Sequence, residues 1–281
     1  MQYVGENPTG ETFPEARLMS SVDLANILPY SMRKAGYHIR GISRRFGMDI
    51  VRYRVMPEDF DTDEAALIEA VRPYTLTSPE RIVALANAVD WIVDEKIPGD
   101  FVECGVWRGG SMMVVAKILL RRNITDRDLY LFDTFEGMTA PTTKDHDLHG
   151  KPALPRFLRT RITEDSSTWC RATVDDVERN LSRTWYPPER VHLVKGRVED
   201  TLPRATPNQI AMLRLDTDWY ESTRHELVHL WPKLVSGGIC IADDYGHWAG
   251  HREAIDEYLE ENGIRVLMHR PDGPGRVFIK P

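Results

Sequence analysis

Apolar residues recur at helical spacing at Ile82, Leu85, Ala86, Val89, Ile92 and Val93, which predicts an amphipathic helix facing a core. Ser78, Pro79 and Glu80 stand at its start as N-cap, first-turn proline and dipole-matched acid. Pro98-Gly99 breaks the chain, and the period then changes. Short apolar runs at 100–104, 129–132, 191–194, 212–215 and 238–242 read as buried strands. Helical patterns cover 111–121, 223–234 and 251–262, and 265–268 with 276–279 read as a closing antiparallel pair. This alternation predicts an α/β fold whose doubly wound sheet is mostly parallel, with an antiparallel closing strand.

The first 74 residues lack that rhythm. Residues 1–15 are polar and hold Pro and Gly, 22–35 suggest a helix broken near Pro29, and a basic run at 40–54 gives way to acids at 58–64. Residues 65–71 read as helical. Two parts follow: an N-terminal helical extension over 1–74, expected to cap an acceptor site, and a main domain over 75–281. Within the main domain, 139–168 is polar and holds Pro141, His146, His149, Gly150, Pro152 and Pro155. An insertion of that length between strand and helix is usually functional, and we expect a lid. No internal repeat or low-complexity tract is visible.

Composition narrows the partners. A formal net charge of -7 over 281 residues argues against nucleic acid, which needs a basic face. Cys104, Cys170 and Cys240 are far apart and form no zinc-type spacing. With no leader-like segment or long apolar run, a cytoplasmic protein off the membrane is expected.

The strand end Phe101-Val102-Glu103-Cys104-Gly105 runs into Val106-Trp107-Arg108-Gly109-Gly110-Ser111. This is a Gly-rich turn opening a helix, yet not the dinucleotide spacing. Glu103 before the first Gly would repel a phosphate and suits an ammonium, such as that of S-adenosylmethionine (SAM). Asp133 ends the next strand, 30 residues later, where an acid can accept from ribose hydroxyls. Gly196 and the residues after it, including Val198 and Glu199, are placed to border an adenine. The bland alternative is a plain Gly turn with surface acids.

Two further strand ends carry paired acids, Asp216 with Asp218 and Asp243 with Asp244. Asp216 lies 27 residues before Asp243, one strand-helix-strand unit, so neighbouring tips would bring the carboxylates together. Like charges this close favour a cation among them, and oxygen ligands favour Mg²⁺ or Ca²⁺ over zinc. Asp216, Asp243 and Asp244 are the expected ligands and Asp218 the expected base, with His247 and His251 as rivals. Capping or solvated acids are the bland alternative.

These motifs resemble the macrocin O-methyltransferase family, whose members methylate sugar hydroxyls on macrolides and aminocoumarins. The resemblance rests on Thr75-Leu76-Thr77-Ser78-Pro79-Glu80-Arg81, the Pro98 to Ser111 turn, Phe132-Asp133-Thr134-Phe135-Glu136-Gly137-Met138, the stretch from Val194 to Pro203, the stretch from Leu215 to Thr223, and Asp243-Asp244-Tyr245-Gly246. It implies a class I SAM-methyltransferase fold, Rossmann-like, with SAM held around Thr77, Ser78, Glu103, Gly105, Val106, Ser111, Asp133, Thr134, Gly137, Met138, Gly196, Val198, Glu199 and Asp216. It implies Mg²⁺ at Asp216, Asp243 and Asp244, and Asp218 as base. Thr217 and Trp219 depart from the family pattern, where relatives carry Gly and Met or a similar residue.

The expected activity is metal-assisted methyl transfer to a hydroxyl, on a sugar of a glycosylated natural product, by a homo-oligomer. The polar 139–168 segment, with His146, Asp147 and His149, leans toward a hydroxyl-rich acceptor. The alternatives are a catechol or phenol O-methyltransferase, a non-catalytic SAM-binding module, and a nucleotide-sugar or NAD enzyme.

Overall fold

The computed structural model describes residues 56–57 and 59–281. One compact unit runs from Glu58 to Pro281. The polar arm, the 22–35 helix and the basic 40–54 run lie outside the described residues. Helix α1 (Thr62–Val71) opens with a capping box in which Asp61 and Glu64 each accept the other's backbone N–H. Helix α2 (Pro79–Asp94) starts as its sequence predicts. Ser78 Oγ accepts the Arg81 N–H at 3.2 Å, and the stripe Ile82, Leu85, Ala86, Val89 and Ile92 is buried.

Strand β1 (Asp100–Cys104) leads into α3 (Gly110–Arg121), and β2 (Leu129–Asp133) follows. Then come α4 (Leu154–Thr160), α5 (Val174–Ser182), β3 (Val191–Lys195) and the single turn α6 (Val198–Thr201). The chain closes with β4 (Ile210–Leu215), α7 (Tyr220–Leu230), β5 (Leu234–Ala242), α8 (Ala249–Glu261) and β6 (Arg276–Ile279). Sheet order is β3-β2-β1-β4-β5-β6. The first five strands are parallel and β6 is antiparallel to β5. Every residue of β4 is buried, as a strand covered on both faces requires.

The order reverses between β1 and β4, and the crevice at the carboxyl ends there is where such sheets take ligands. Register fixes what meets in it. Cys104 lies level with Phe132 and Leu215, and Leu215 with Ala242. The next residues continue the ladder: Gly105 N–H bonds the Phe132 carbonyl, Asp216 N–H that of Cys104, and Asp243 N–H that of Leu215. The acids read from sequence therefore share one edge.

Two expectations differ. Residues 265–268 form no strand; only His269 bridges Val277. Val266 and Met268 still pack on the core, so their alternation is met by packing without a ladder. The helix expected at 223–234 is α7, which starts at Tyr220 and gives way after Leu230 to a 3₁₀ turn (Trp231–Lys233). The 139–168 insertion holds α4 and is pinned by Asp145, which is 1% exposed. Asp145 accepts from Thr142 N–H at 2.6 Å and from Tyr220 N–H at 2.9 Å. Helices α5 and α6 were not anticipated. No helix among the described residues is long and apolar enough to cross a membrane.

Candidate active site

A cavity of about 310 Å³ opens at the strand tips. One wall begins at Gly105, whose φ is 83° and where a Cβ would overlap the Asp216 carbonyl oxygen. Only glycine lets the β1 and β4 turns pack this closely. Asp133 holds the turn from the side. Its Oδ2 accepts the Val106 and Trp107 N–H groups at 2.7 and 3.1 Å, and Oδ1 accepts that of Phe135 at 2.7 Å. Gly137 sits at φ 86°, where a Cβ would overlap the Ser167 carbonyl oxygen, and Thr134 Oγ1 donates to its carbonyl at 2.9 Å.

Of the residues expected to hold SAM, Thr77, Gly105, Val106, Ser111, Asp133, Thr134, Gly137, Met138, Gly196, Val198, Glu199 and Asp216 line this cavity. Ser78 and Glu103 do not. Ser78 spends its hydroxyl on the α2 cap and on Asp272, at 2.8 Å. Glu103 is 1% exposed and ion-paired to Arg214. Burial pushes its carboxyl up to about 7 against the pull of that arginine. Its Oε2 is likewise buried, with the cavity-lining Ser111 beside it.

The carboxylates at the β4 and β5 tips divide into two sets. Asp216, Asp218 and Asp244 offer oxygens within 4.8 Å of one another. Asp243 lines the same cavity and is engaged by two guanidinium groups: Oδ1 pairs with Arg214 at 2.6 Å and Oδ2 pairs with Arg81. Burial works to raise the Asp243 carboxyl, and Arg214 and then Arg81 outweigh it, holding it below its ordinary value. Asp216 also meets Arg214, at 2.7 Å. Burial pushes the Asp216 carboxyl well above its usual range even so. Asp218 is pushed well above its range by burial and next by Asp244. Buried acids this close must share protons or a cation. All-oxygen donors suit a hard dication, so the residues present fit the metal that sequence implied.

Arg214 is the residue that sequence reasoning missed. It is 3% exposed and joins Glu103, Asp216 and Asp243 through one guanidinium. Its signal was a charged residue inside the apolar run Met212-Leu213-Arg214-Leu215, two positions before Asp216 and thus on the same face. The far wall was missed too. Trp169, Trp219 and Trp248 form a cluster with ring centroids 5.1–6.0 Å apart. Trp169 and Trp248 line the cavity with His247, and Arg156 stacks over Trp169 at 4.0 Å. His251, the other rival base, is fully buried, absent from the lining, and bonded through Nδ1 to Thr223 Oγ1 at 2.8 Å.

Sheet order and a switch-point cavity ringed by these turns are those of the class I SAM-methyltransferase fold, and the relatives that share it are O-methyltransferases. The solved structure of the O-methyltransferase NovP matches with a TM-score of 0.65 at 30% identity, covering 74% of this chain and 82% of its own. The calicheamicin methyltransferase CalS11 shares the fold at a TM-score of 0.54 and 16% identity, over 83% of this chain and 99% of its own. The particular family is the one described as Macrocin-O-methyltransferase (TylF), which matches residues 56–280, and the chain belongs to it. Mycinamicin III 3''-O-methyltransferase of Micromonospora griseorubida is 31% identical over 210 residues, covering 72% of this chain and 80% of that protein. The 8-demethyl-8-(2,3-dimethoxy-alpha-L-rhamnosyl)-tetracenomycin-C 4'-O-methyltransferase of Streptomyces olivaceus is 33% identical over 202 residues, covering 72% and 74%.

Proposed function

We propose that this O-methyltransferase methylates a hydroxyl on a sugar of a natural product, with a divalent cation, Mg²⁺, at the β4 and β5 tips. The observation that carries the reading is the convergence of Asp216, Asp218 and Asp244 beside a cofactor cavity. Asp216 and Asp244 are the ligands this arrangement favours. Asp243, the other acid expected from sequence, has both oxygens on arginines and anchors the set through Arg214. When bound, SAM supplies an electrophilic methyl carbon and the dication stabilises negative charge on the acceptor oxygen.

The chain's own residues do the rest. Asp218 accepts the hydroxyl proton, since its carboxyl lies in the acid cluster and lines the cavity. The β1 turn, braced by Asp133, fixes the cofactor side, and the tryptophan wall excludes water from the acceptor side. Alignment of the two reactants contributes a large part of the acceleration. Residues 1–74 as acceptor cap, 139–168 as lid and a homo-oligomeric state belong to the same proposal. Thr139 and Arg156 in the lining support the lid.

A second reading has one observation in its favour. The aromatic wall suits a flat phenolic acceptor as well as a sugar ring. Incubation with SAM and two acceptor panels, glycosylated natural products and catechols, decides between them. We expect methyl transfer to a sugar hydroxyl, lost in EDTA and restored by Mg²⁺. Full turnover in EDTA contradicts the metal role, and turnover of catechols alone contradicts the sugar reading.

A further inference from the structure

Residues His225-Glu226-Leu227-Val228-His229 on α7 carry the His-Glu-x-x-His spacing of a zinc-binding helix. The fold uses Glu226 otherwise. It is fully buried, turned away from a zinc role, and its Oε1 accepts the Thr217 Oγ1 hydroxyl at 2.7 Å. Among the described residues, the acids 216, 218 and 244 form the group able to hold a metal, and neither histidine joins it.

Thr217 stands between Asp216 and Asp218, in a turn with little freedom to spare. Asp216 N–H is tied to the Cys104 carbonyl at 2.8 Å, and Trp219 N–H reaches back to the Thr217 carbonyl at 2.9 Å. That last bond spans two residues, a γ-turn, and its central residue Asp218 sits at φ 71°. Such a turn at a non-glycine residue is strained and persists only where its surroundings fix it. Trp219 is fixed by its own indole, which donates to the Thr139 carbonyl at 3.1 Å. Thr217 is fixed from below by Glu226.

We propose that Glu226 is a positioning residue that, through Thr217, holds the strained turn presenting Asp218 to Asp216 and Asp244. On stability grounds alone a leucine would serve better at 226. A buried carboxyl with one partner is costly, and Oε2 of Glu226 has no hydrogen-bond partner. Burial also pushes this carboxyl well above its ordinary range. The pair Thr217 and Glu226 thus gives up stability to aim a carboxylate. The inference rests on the cation site proposed above.

The test is Mn²⁺ titration of the EDTA-treated full chain, with kcat and thermal melting, for Glu226→Leu, Thr217→Val, their double variant and Glu226→Gln. Loss of an outer partner of a metal site lowers metal affinity or turnover by about 10-fold or more. We expect that loss in both Mn²⁺ affinity and kcat for Glu226→Leu, with the KM for SAM unchanged and the melting temperature undiminished. The double variant is expected to be no worse than either single one. Glu226→Gln, which keeps a carbonyl to accept the hydroxyl, restores both parameters. Unchanged Mn²⁺ affinity and kcat in Thr217→Val, or losses that simply multiply in the double variant, would overturn the proposal. A wild-type chain that binds no Mn²⁺ would sink the cation site and this inference together, whereas wild-type binding with an unaltered Glu226→Leu sinks the inference alone.

Discussion

Arg214 is where the cofactor side and the acid cluster are wired together. One buried guanidinium serves Glu103, Asp216 and Asp243, and its planar fork is what a lysine cannot supply. Arg214→Met leaves buried carboxylates without their counter-ion. It is expected to lower the unfolding free energy by about 3–5 kcal/mol, read by urea denaturation. His251 gives a pH signature. Burial holds it down to about 4 against an ordinary 6.5, with Asp244 and Asp243 pulling the other way. Below 6.5 the unfolded chain therefore takes a proton that the folded one refuses. This contribution to stability is whole above pH 6.5 and is lost as pH falls toward 4, by about 1.4 kcal/mol per unit. In His251→Gln, stability measured across that window is expected to fall less steeply. The acids at 216, 218, 243 and 244 were legible because they end apolar runs. Their partition was not, because it depends on Arg81, which comes from α2 far upstream.

Helix α2 and the β1 turn show how elements set the site. Ser78 caps α2 and also donates to Asp272, tying the helix carrying Arg81 to the loop before β6. Ser78→Ala is expected to cost about 1 kcal/mol from the cap alone. The β1 turn depends on Asp133, whose carboxylate takes the backbone N–H groups of Val106 and Trp107. Asp133→Ala is expected to weaken S-adenosylhomocysteine binding by about 1–3 kcal/mol, by calorimetric titration. Unchanged affinity would remove Asp133 from the site. The strands and α2 were legible because burial on both faces or on one helical face leaves a strong period. The 265–268 stretch was misread because Val266 and Met268 alternate inward without a strand partner.

At the scale of the molecule, five parallel strands in the order β3-β2-β1-β4-β5 gather turns that are distant in sequence onto one edge. That gathering was legible, since strand-helix alternation leaves few topologies. The aromatic wall was not: Trp169, Trp219 and Trp248 come from three separate loops, and no local period links them. The polar 139–168 segment pointed to a hydroxyl-rich acceptor, and the wall beside it is aromatic, so the acceptor is decided by packing that only the fold reveals. What unites these scales is the dication proposed for the β4 and β5 tips. An anomalous-difference map from a crystal soaked with Mn²⁺ and S-adenosylhomocysteine reads it directly. The account predicts a peak in contact with carboxylate oxygens of Asp216 and Asp244, on the cavity side. A crystal with S-adenosylhomocysteine in place and no peak there, or a peak elsewhere, would contradict it.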